Sequence, residues 1–367
     1  MKNAIYLDYN ATTPIRPEVI SRMGQIMALP GNASSIHGPG REARKVIEDA
    51  RAQLAAPLGV GPQQIIFNSG ATEGNNTILK GFAGKRVLVS AIEHASVIES
   101  GVTTEIIPVT AEGVVDLEAY KRILYNGESP GLVSVMLVNN ETGVIQPVAE
   151  IAALAHEAGA LVHCDAVQAL GRIPFTRESL GVDFLTLSAH KLGGPQGAGA
   201  IIMAAKAPLP KLIHGGGQER RQRAGTENVA AIAGFGLAAK LAVEHMAQYQ
   251  ALATKRDALE EYLLTSTNGL RIHGRNAPRV ANTISLSLTG TTSETLLMAF
   301  DLEGIALSSG SACSSGTVKP SHVLLAMGIP EEEAKCALRI SFGWQTTDAE
   351  LEDFKAAWDK VRARILK

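Results

Sequence analysis

Ser188, His190 and Lys191 stand together just after the apolar run 184–187 and just before a glycine-rich turn, "LGGPQGAGA". An amine with a pKa of about 10.4 must be lowered by its surroundings before it is nucleophilic. Beside hydroxyl and imidazole donors, Lys191 fits a Schiff-base lysine next to a phosphate site. The same residues also fit a surface lysine beside a loop. "FNSGATEGNNTILKG" (67–81) reads strand, small-residue turn, helix, and sets the N–H groups of Ala71 and Thr72, with the Thr72 hydroxyl, at a helix N-terminus. That place suits an anion such as phosphate, or is simply a cap. No GxxxxGK[ST] occurs.

Asp165 ends the apolar run 160–164, with Gln168 three residues later. A carboxylate there needs a partner. His163, Cys164 and Asp165 are adjacent on a strand, so their side chains alternate between faces, and no metal site is expected. His94 follows the run "RVLVSA" and reads as structural or catalytic. Asn139, Asn140 and Glu141 follow 132–138 and either form a turn or orient a substrate. Arg220, Arg221 and Arg223, with Thr226, read as a solvated turn or a second phosphate contact. Together these provide a phosphate cradle, a carboxylate for a ring nitrogen, a lysine for an imine and a histidine near a ring. Pyridoxal 5′-phosphate (PLP) needs that set. A nicotinamide cofactor would need GxGxxG after the first strand and an acidic residue about 20 positions on, and that pattern is absent.

Seven short β-rich runs position these residues: "QIIFNSG", "RVLVSA", "TEIIPV", "LVSVMLV", "ALVHCDA", "DFLTLSA" and "GAGAIIMA". Helix-period segments lie between them, such as Ala43, Val46, Ile47, Ala50 and Leu54. The alternation predicts an α/β fold with an open, mostly parallel sheet. Ligands of such sheets bind beyond the carboxyl ends of the strands, where the polar clusters fall. A long helical stretch over 228–264 reads as a connector to a smaller α+β domain. Its last helix opens on a Thr347/Glu350 capping box.

The 367 residues are 46% hydrophobic and 19% charged, with a formal net charge of −2. That balance gives no electrostatic reason to expect a nucleic-acid or membrane partner. The longest apolar run, near 132–138, is too short to span a bilayer. The first residues lack a signal-peptide layout. Cys164, Cys313 and Cys336 are widely spaced, which predicts no disulfide framework and a reducing cytoplasm. Cys164 and Cys336 read as packing residues. Cys313 is different: "SSGSACSSG" surrounds it with small residues only.

The motifs "YLDYNATTP", "GNASSIHGPGREAR", "SGATE", "EHASV", "VNNETGVIQP", "DAVQALG", "SAHKLGGPQGAGA", "RAGTEN", "SSGSACSSG", "PSHVLLAMG" and "LRISFG" occur in this order. In that order the sequence resembles the cysteine desulfurases, the NifS/IscS-like group of class V aminotransferase-fold PLP enzymes. The resemblance implies PLP-dependent transferase fold type I. It also implies a large PLP-binding domain over 15–250 and a small domain made of 1–14 and 251–367. Lys191 is then the lysine that carries PLP, and His94 stacks on the ring and assists proton transfer. Asp165 pairs with the ring nitrogen and Gln168 with the ring hydroxyl. Ala71, Thr72, Ser188 and His190 hold the phosphate, joined by Thr226 from the other subunit of a homodimer. Asn140 and Arg339, with help from Asn32, receive the carboxylate of L-cysteine.

Cys313 matches the family's nucleophile, which takes the sulfur as a persulfide while L-alanine is released. The flexible composition of its loop then serves delivery to an iron–sulfur scaffold or another sulfur acceptor. The "SGSAC" and "PSHVLLAMG" patterns resemble the NifS/IscS branch, and the Arg-x-Gly-His-His-Cys loop of the other branch is absent. Two positions depart from the pattern: Lys319, where Glu is usual, and Gly74, where a larger residue is common. A selenocysteine lyase or another β-eliminating PLP enzyme is the alternative on the same fold. An inactive PLP-fold subunit serving as a binding platform is the alternative of a different class.

Overall fold

The computed structural model describes residues 4–205, 207–309 and 319–365. The chain enters through a short strand, β1 (Ile5–Tyr6), and later lays down seven more. These are β2 (Ile65–Asn68), β3 (Val87–Ser90), β4 (Glu105–Ile107), β5 (Leu132–Ser134), β6 (Leu161–Asp165), β7 (Phe184–Ser188) and β8 (Gly199–Met203). The four remaining strands are β9 (Leu270–Ile272), β10 (Thr283–Leu288), β11 (Ile305–Ala306) and β12 (Ala337–Ser341).

Strands β2 to β8 form one sheet in the order β2-β8-β7-β6-β5-β3-β4, from the seven runs read in the sequence. β8 runs antiparallel to both neighbours, and every other pairing is parallel. β3, β5 and β7 are buried along their whole length, as expected when helices cover both faces of a parallel sheet. Six strands therefore end at one edge, and the segments leaving it carry Ala71, His94, Asn140, Asp165 and Lys191.

Helix Gly38–Leu58 buries Ala43, Val46, Ile47, Ala50 and Leu54, the predicted stripe. It lies close against helix Val229–Glu244: a Cβ on Gly236 would sit 2.6 Å from Ala50 Cα. The stretch after residue 228 is not one helix. It is divided into Val229–Glu244, Met246–Gln250 and Leu252–Ser266, with a 62° bend after the first. The break separates two cores. Ala231, Phe235 and Ala239 pack under the seven-stranded sheet, whereas Leu252, Leu259 and Leu263 pack with Leu286, Ile340 and Trp358. No straight rod could serve both. No single helix among the described residues is long and apolar enough to cross a membrane.

The second core is covered by the antiparallel sheet β12-β10-β9 and the final helix, Asp348–Ile365. Glu350 N donates to Thr347 Oγ1 at 3.2 Å and Thr347 N to Glu350 Oε2 at 2.7 Å, which is the capping box. β1 pairs in parallel with β11, so the N-terminal segment belongs to this layer before it crosses to the first. There Thr13 N donates to His190 O at 2.9 Å, and the segment 8–13 lies against the loop that carries Lys191.

Candidate active site

Lys191 ends a single helical turn, Ala189–Lys191, directly after β7. Its Nζ donates to the main-chain oxygens of Asn10 and Ala11, the latter at 2.7 Å. Neither acceptor carries a charge. Burial, with Arg339 and Arg172 nearby, brings the amine down to about 7. A lysine so placed has a substantial neutral fraction near pH 7, which is what nucleophilic use requires.

Asp165 closes β6 and is 6% exposed. Val167 N donates to its Oδ1 at 3.0 Å, and Asn75 Nδ2 donates to its Oδ2 at 2.8 Å. His94 caps helix Ala95–Ile98, with Nδ1 accepting from Ser96 N at 3.0 Å. Asn75 Nδ2 also donates to Ser96 Oγ at 2.9 Å, and Ser96 Oγ lies 2.8 Å from His94 Nδ1. With Nδ1 occupied as acceptor, the neutral ring carries its proton on Nε2. Burial holds this histidine below its ordinary pKa. Asn75 thus links Asp165 to His94, and Thr186 Oγ1 fixes it from β7 through a 2.6 Å bond to Asn75 Oδ1.

Ala71 and Thr72 open helix Ala71–Lys80, whose N-terminus has no side-chain cap. Gly70 precedes it at φ 155°, and a Cβ on Gly199 would meet Gly70 Cα at 2.5 Å, so two glycines let β8 close on the turn. Ser188 is buried at the end of β7. His190 Nδ1 lies 3.2 Å from Thr12 Oγ1, and burial brings its pKa down to about 4. Gln168 Nε2 donates to Asn10 O at 3.0 Å, and its Oε1 is buried without a partner.

Of the two asparagines after β5, Asn139 acts through its side chain and Asn140 through its main-chain oxygen. Asn139 Oδ1 accepts from Glu141 N and Thr142 N and folds the turn. Asn140 O accepts from Arg339 Nη1 at 3.0 Å. Arg339, on β12, is buried. Its Nη2 donates to Asp8 Oδ1 at 2.6 Å, and its Nε has no partner. Asn32 and Thr226 are both exposed. Asn32 closes its own turn on Ser34 N, and Thr226 precedes helix Val229–Glu244. Of the arginines beside Thr226, Arg223 takes Glu73 at 2.9 Å and Arg220 donates to Pro62 O at 3.1 Å.

Cys313 lies outside the described residues. On one side of the segment 310–318, Ser308 pairs with Arg339; on the other, Ser321 Oγ donates to Glu141 Oε2 and His322 Nε2 bonds Glu93 O. Cys164 is fully buried in β6, and burial pushes its thiol pKa well up. Cys336 is also buried, its Sγ directed to Thr291 O and Glu332 O. His163 uses both ring nitrogens on Ser134 and Thr186.

Three positions were not singled out in the sequence. Asn75 sits on the buried stripe of its helix with Gly74, Ile78 and Leu79, and a carboxamide on an apolar stripe is the signal that could have found it. Asn10 takes Lys191 and Gln168 on its oxygen and Arg172 on its side chain, and Asp8 takes Arg339. Gly74 explains its own departure. A Cβ there would lie 2.9 Å from Thr186 Cγ2 and 3.1 Å from Asn68 Nδ2.

These groups fit PLP. The uncapped helix turn between two glycines suits a phosphate, and the orphaned Gln168 Oε1 awaits a donor such as a ring hydroxyl. Asp165 supplies an anion for a ring nitrogen, and the lowered amine of Lys191 suits an aldehyde carbon. Residues 5–354 match the family Aminotransferase class-V. The chain belongs to that family. It is 41% identical to the cysteine desulfurase IscS of Dictyoglomus turgidum, over 96% of this chain and 92% of that one. It is 42% identical to the cysteine desulfurase of Gluconacetobacter diazotrophicus, over 95% and 91%. The structure of the NifS-like protein of Rickettsia africae superposes with a TM-score of 0.92 at 39% identity, covering 98% of this chain and all of that one. Within the class V family the chain is thus NifS/IscS-like, with PLP fold type I and PLP as its cofactor.

Proposed function

We propose that the protein removes the sulfur of L-cysteine, releases L-alanine and holds the sulfur on Cys313. The observation that carries this reading is the placement of both flanks of the segment 310–318. Ser308 adjoins Arg339, and Ser321 adjoins Glu141, next to Asn140. Cys313 is no more than about 14 Å of extended chain from Ser309.

Asp165, Gln168, Ser188, His190, Ala71, Thr72 and Lys191 are the residues that would hold PLP. Bound PLP supplies a sink for electrons from the substrate α-carbon. Arg339, whose Nε has no partner while Nη1 and Nη2 are taken by Asn140 O and Asp8, would receive the substrate carboxylate together with Asn140. The Lys191 amine, neutral above about pH 7, would take and return the α-proton. His94, with its proton on Nε2, would assist the proton transfer. The Cys313 thiolate would attack the substrate sulfur: one S–S bond forms and the substrate C–S bond breaks. In balance, cysteine and the Cys313 thiol give alanine and a Cys313 persulfide.

Thr226 is exposed on its own chain, which agrees with a role at the partner's phosphate site in a homodimer. The same reading has the division 15–250 against 1–14 and 251–367, a cytoplasmic setting, and an iron–sulfur scaffold or other sulfur acceptor near exposed Lys319. Asn32 would assist Asn140 and Arg339 at the substrate carboxylate. The test is product analysis of the PLP-loaded protein with L-cysteine and a thiol reductant. Alanine and sulfide in equal amounts support the reading. Pyruvate with sulfide would instead mark a β-eliminating lyase.

A further inference from the structure

Between the two cores lies a cavity of about 190 Å³. Leu170 and Ala242 line it from the first core, Leu252 and Phe342 from the second. It shares Lys191 with the site above, but none of His94, Asp165, Gln168 or Ser188. Its polar lining is cationic. Arg16, Arg172 and Lys255 face it, and no Asp or Glu does among the described residues.

Lys255 has a counter-charge in Asp348, at 2.7 Å. The two arginines form no ion pair among the described residues, and Arg16 has only Glu18 in its wider surroundings. Arg172 is 5% exposed, donates to the neutral Asn10 Oδ1 at 2.8 Å, and lies over Tyr249 at 5.6 Å, whose hydroxyl also supports its charge. Arg16 stacks over Trp344 at 5.1 Å. Arg16 Nε is buried without a hydrogen-bond partner. Buried cations are costly unless a charge or a full set of hydrogen bonds compensates them. Burial already opposes the charge on both arginines. An open space, two guanidinium groups outside any ion pair and the orphaned Arg16 Nε together describe a site whose counter-charge comes from outside the chain.

We propose that this cavity binds a small organic anion, a carboxylate or a phosphate ester, with its charge on Arg16 and Arg172 and its apolar body against Trp344. Guanidinium groups suit both headgroups, and the aromatic faces supply the rest of the contact. The site reaches the reaction through one residue. Arg172 holds the side chain of Asn10, whose main-chain oxygen receives Lys191.

The chain has two tryptophans, and Trp358 is sealed in the second core, so emission that responds to a bound anion reports Trp344. PLP-loaded protein is titrated with inorganic phosphate in one arm and succinate in the other, with ionic strength held constant by chloride. The proposal expects a saturable emission change with at least one anion. Arg16→Gln should weaken that affinity at least about tenfold, and Lys255→Gln, a second variant whose charge is already paired with Asp348, should weaken it by less. Phosphate alone assigns the ester, succinate alone the carboxylate. With Trp344→Phe the signal disappears while calorimetric binding heat persists. A linear response to both anions, or equal affinity in wild type and both charge variants, overturns the proposal.

Discussion

Asn75 Nδ2 lies 2.8 Å from Asp165 Oδ2, and Asn75 is fully buried. The same nitrogen reaches Ser96 Oγ, which is bonded to His94 Nδ1. One carboxamide therefore orients the carboxylate and the imidazole that are expected to flank the cofactor ring. Asn75→Ala leaves Asp165 Oδ2 short of a donor and frees the His94 ring. A lost charge-assisted bond of about 1.5–3 kcal/mol corresponds to PLP affinity at least tenfold weaker. Equilibrium dialysis against PLP measures this, and unchanged affinity would reduce Asn75 to a packing residue.

The pH dependence of cofactor uptake follows from Lys191. Its amine titrates near 7, lowered by burial and by Arg339 and Arg172. The neutral fraction rises with pH through that value, so the rate at which apoprotein takes up PLP should rise through about pH 7 and level off by about 8.5. An ordinary lysine, at about 10.4, would still be gaining at pH 9. Stopped-flow absorbance across pH 5.5–9.5 distinguishes the two profiles. Arg339→Gln removes one source of the lowering and should move the midpoint upward.

Arg339→Gln should also lower kcat/KM for L-cysteine. Loss of a charged hydrogen bond to a carboxylate costs about 1.5–3 kcal/mol, a factor of about 10 to 150. The absorbance of bound PLP should persist, since Arg339 is assigned to the substrate carboxylate rather than to the cofactor. Steady-state kinetics with the spectrum as control checks both statements.

A stability prediction comes from the loop before Thr226. Glu219, Arg220 and Arg221 all have positive φ, an uncommon run for residues with side chains. Glu219 is buried and takes Arg51 through two 2.8 Å bonds and Phe67 N through a third. Arg51→Met strands a buried carboxylate and should cost about 3–5 kcal/mol. Urea unfolding measures it, and a loss under 1 kcal/mol would show that the loop holds its shape without the pair.

Where the sequence was readable, the reason is periodicity and order. Each β-rich run became a strand of the large sheet, because a run such as Val87–Val89 is buried on both faces and has few other conformations open to it. Lys191, Asp165 and His94 stood out because polar groups immediately after such runs must lie at the sheet edge. The break at His245 was not legible. No glycine or proline marks it, and it exists because two cores claim the two halves of one helical stretch. Asn10 and Asp8 were hidden for a similar reason. Their partners lie far along the chain, Lys191 and Arg339, and only the tertiary crossing of the N-terminal segment brings them together.

The central claim is that Cys313 receives the sulfur. The most direct measurement is the intact mass of PLP-loaded protein after one turnover with L-cysteine, with no reductant present, for wild type and Cys313→Ala. The account predicts the mass of one added sulfur on wild type, released by dithiothreitol, and none on the variant, which keeps the absorbance of bound PLP. An added sulfur on Cys313→Ala, or equal alanine production by both proteins, would contradict it.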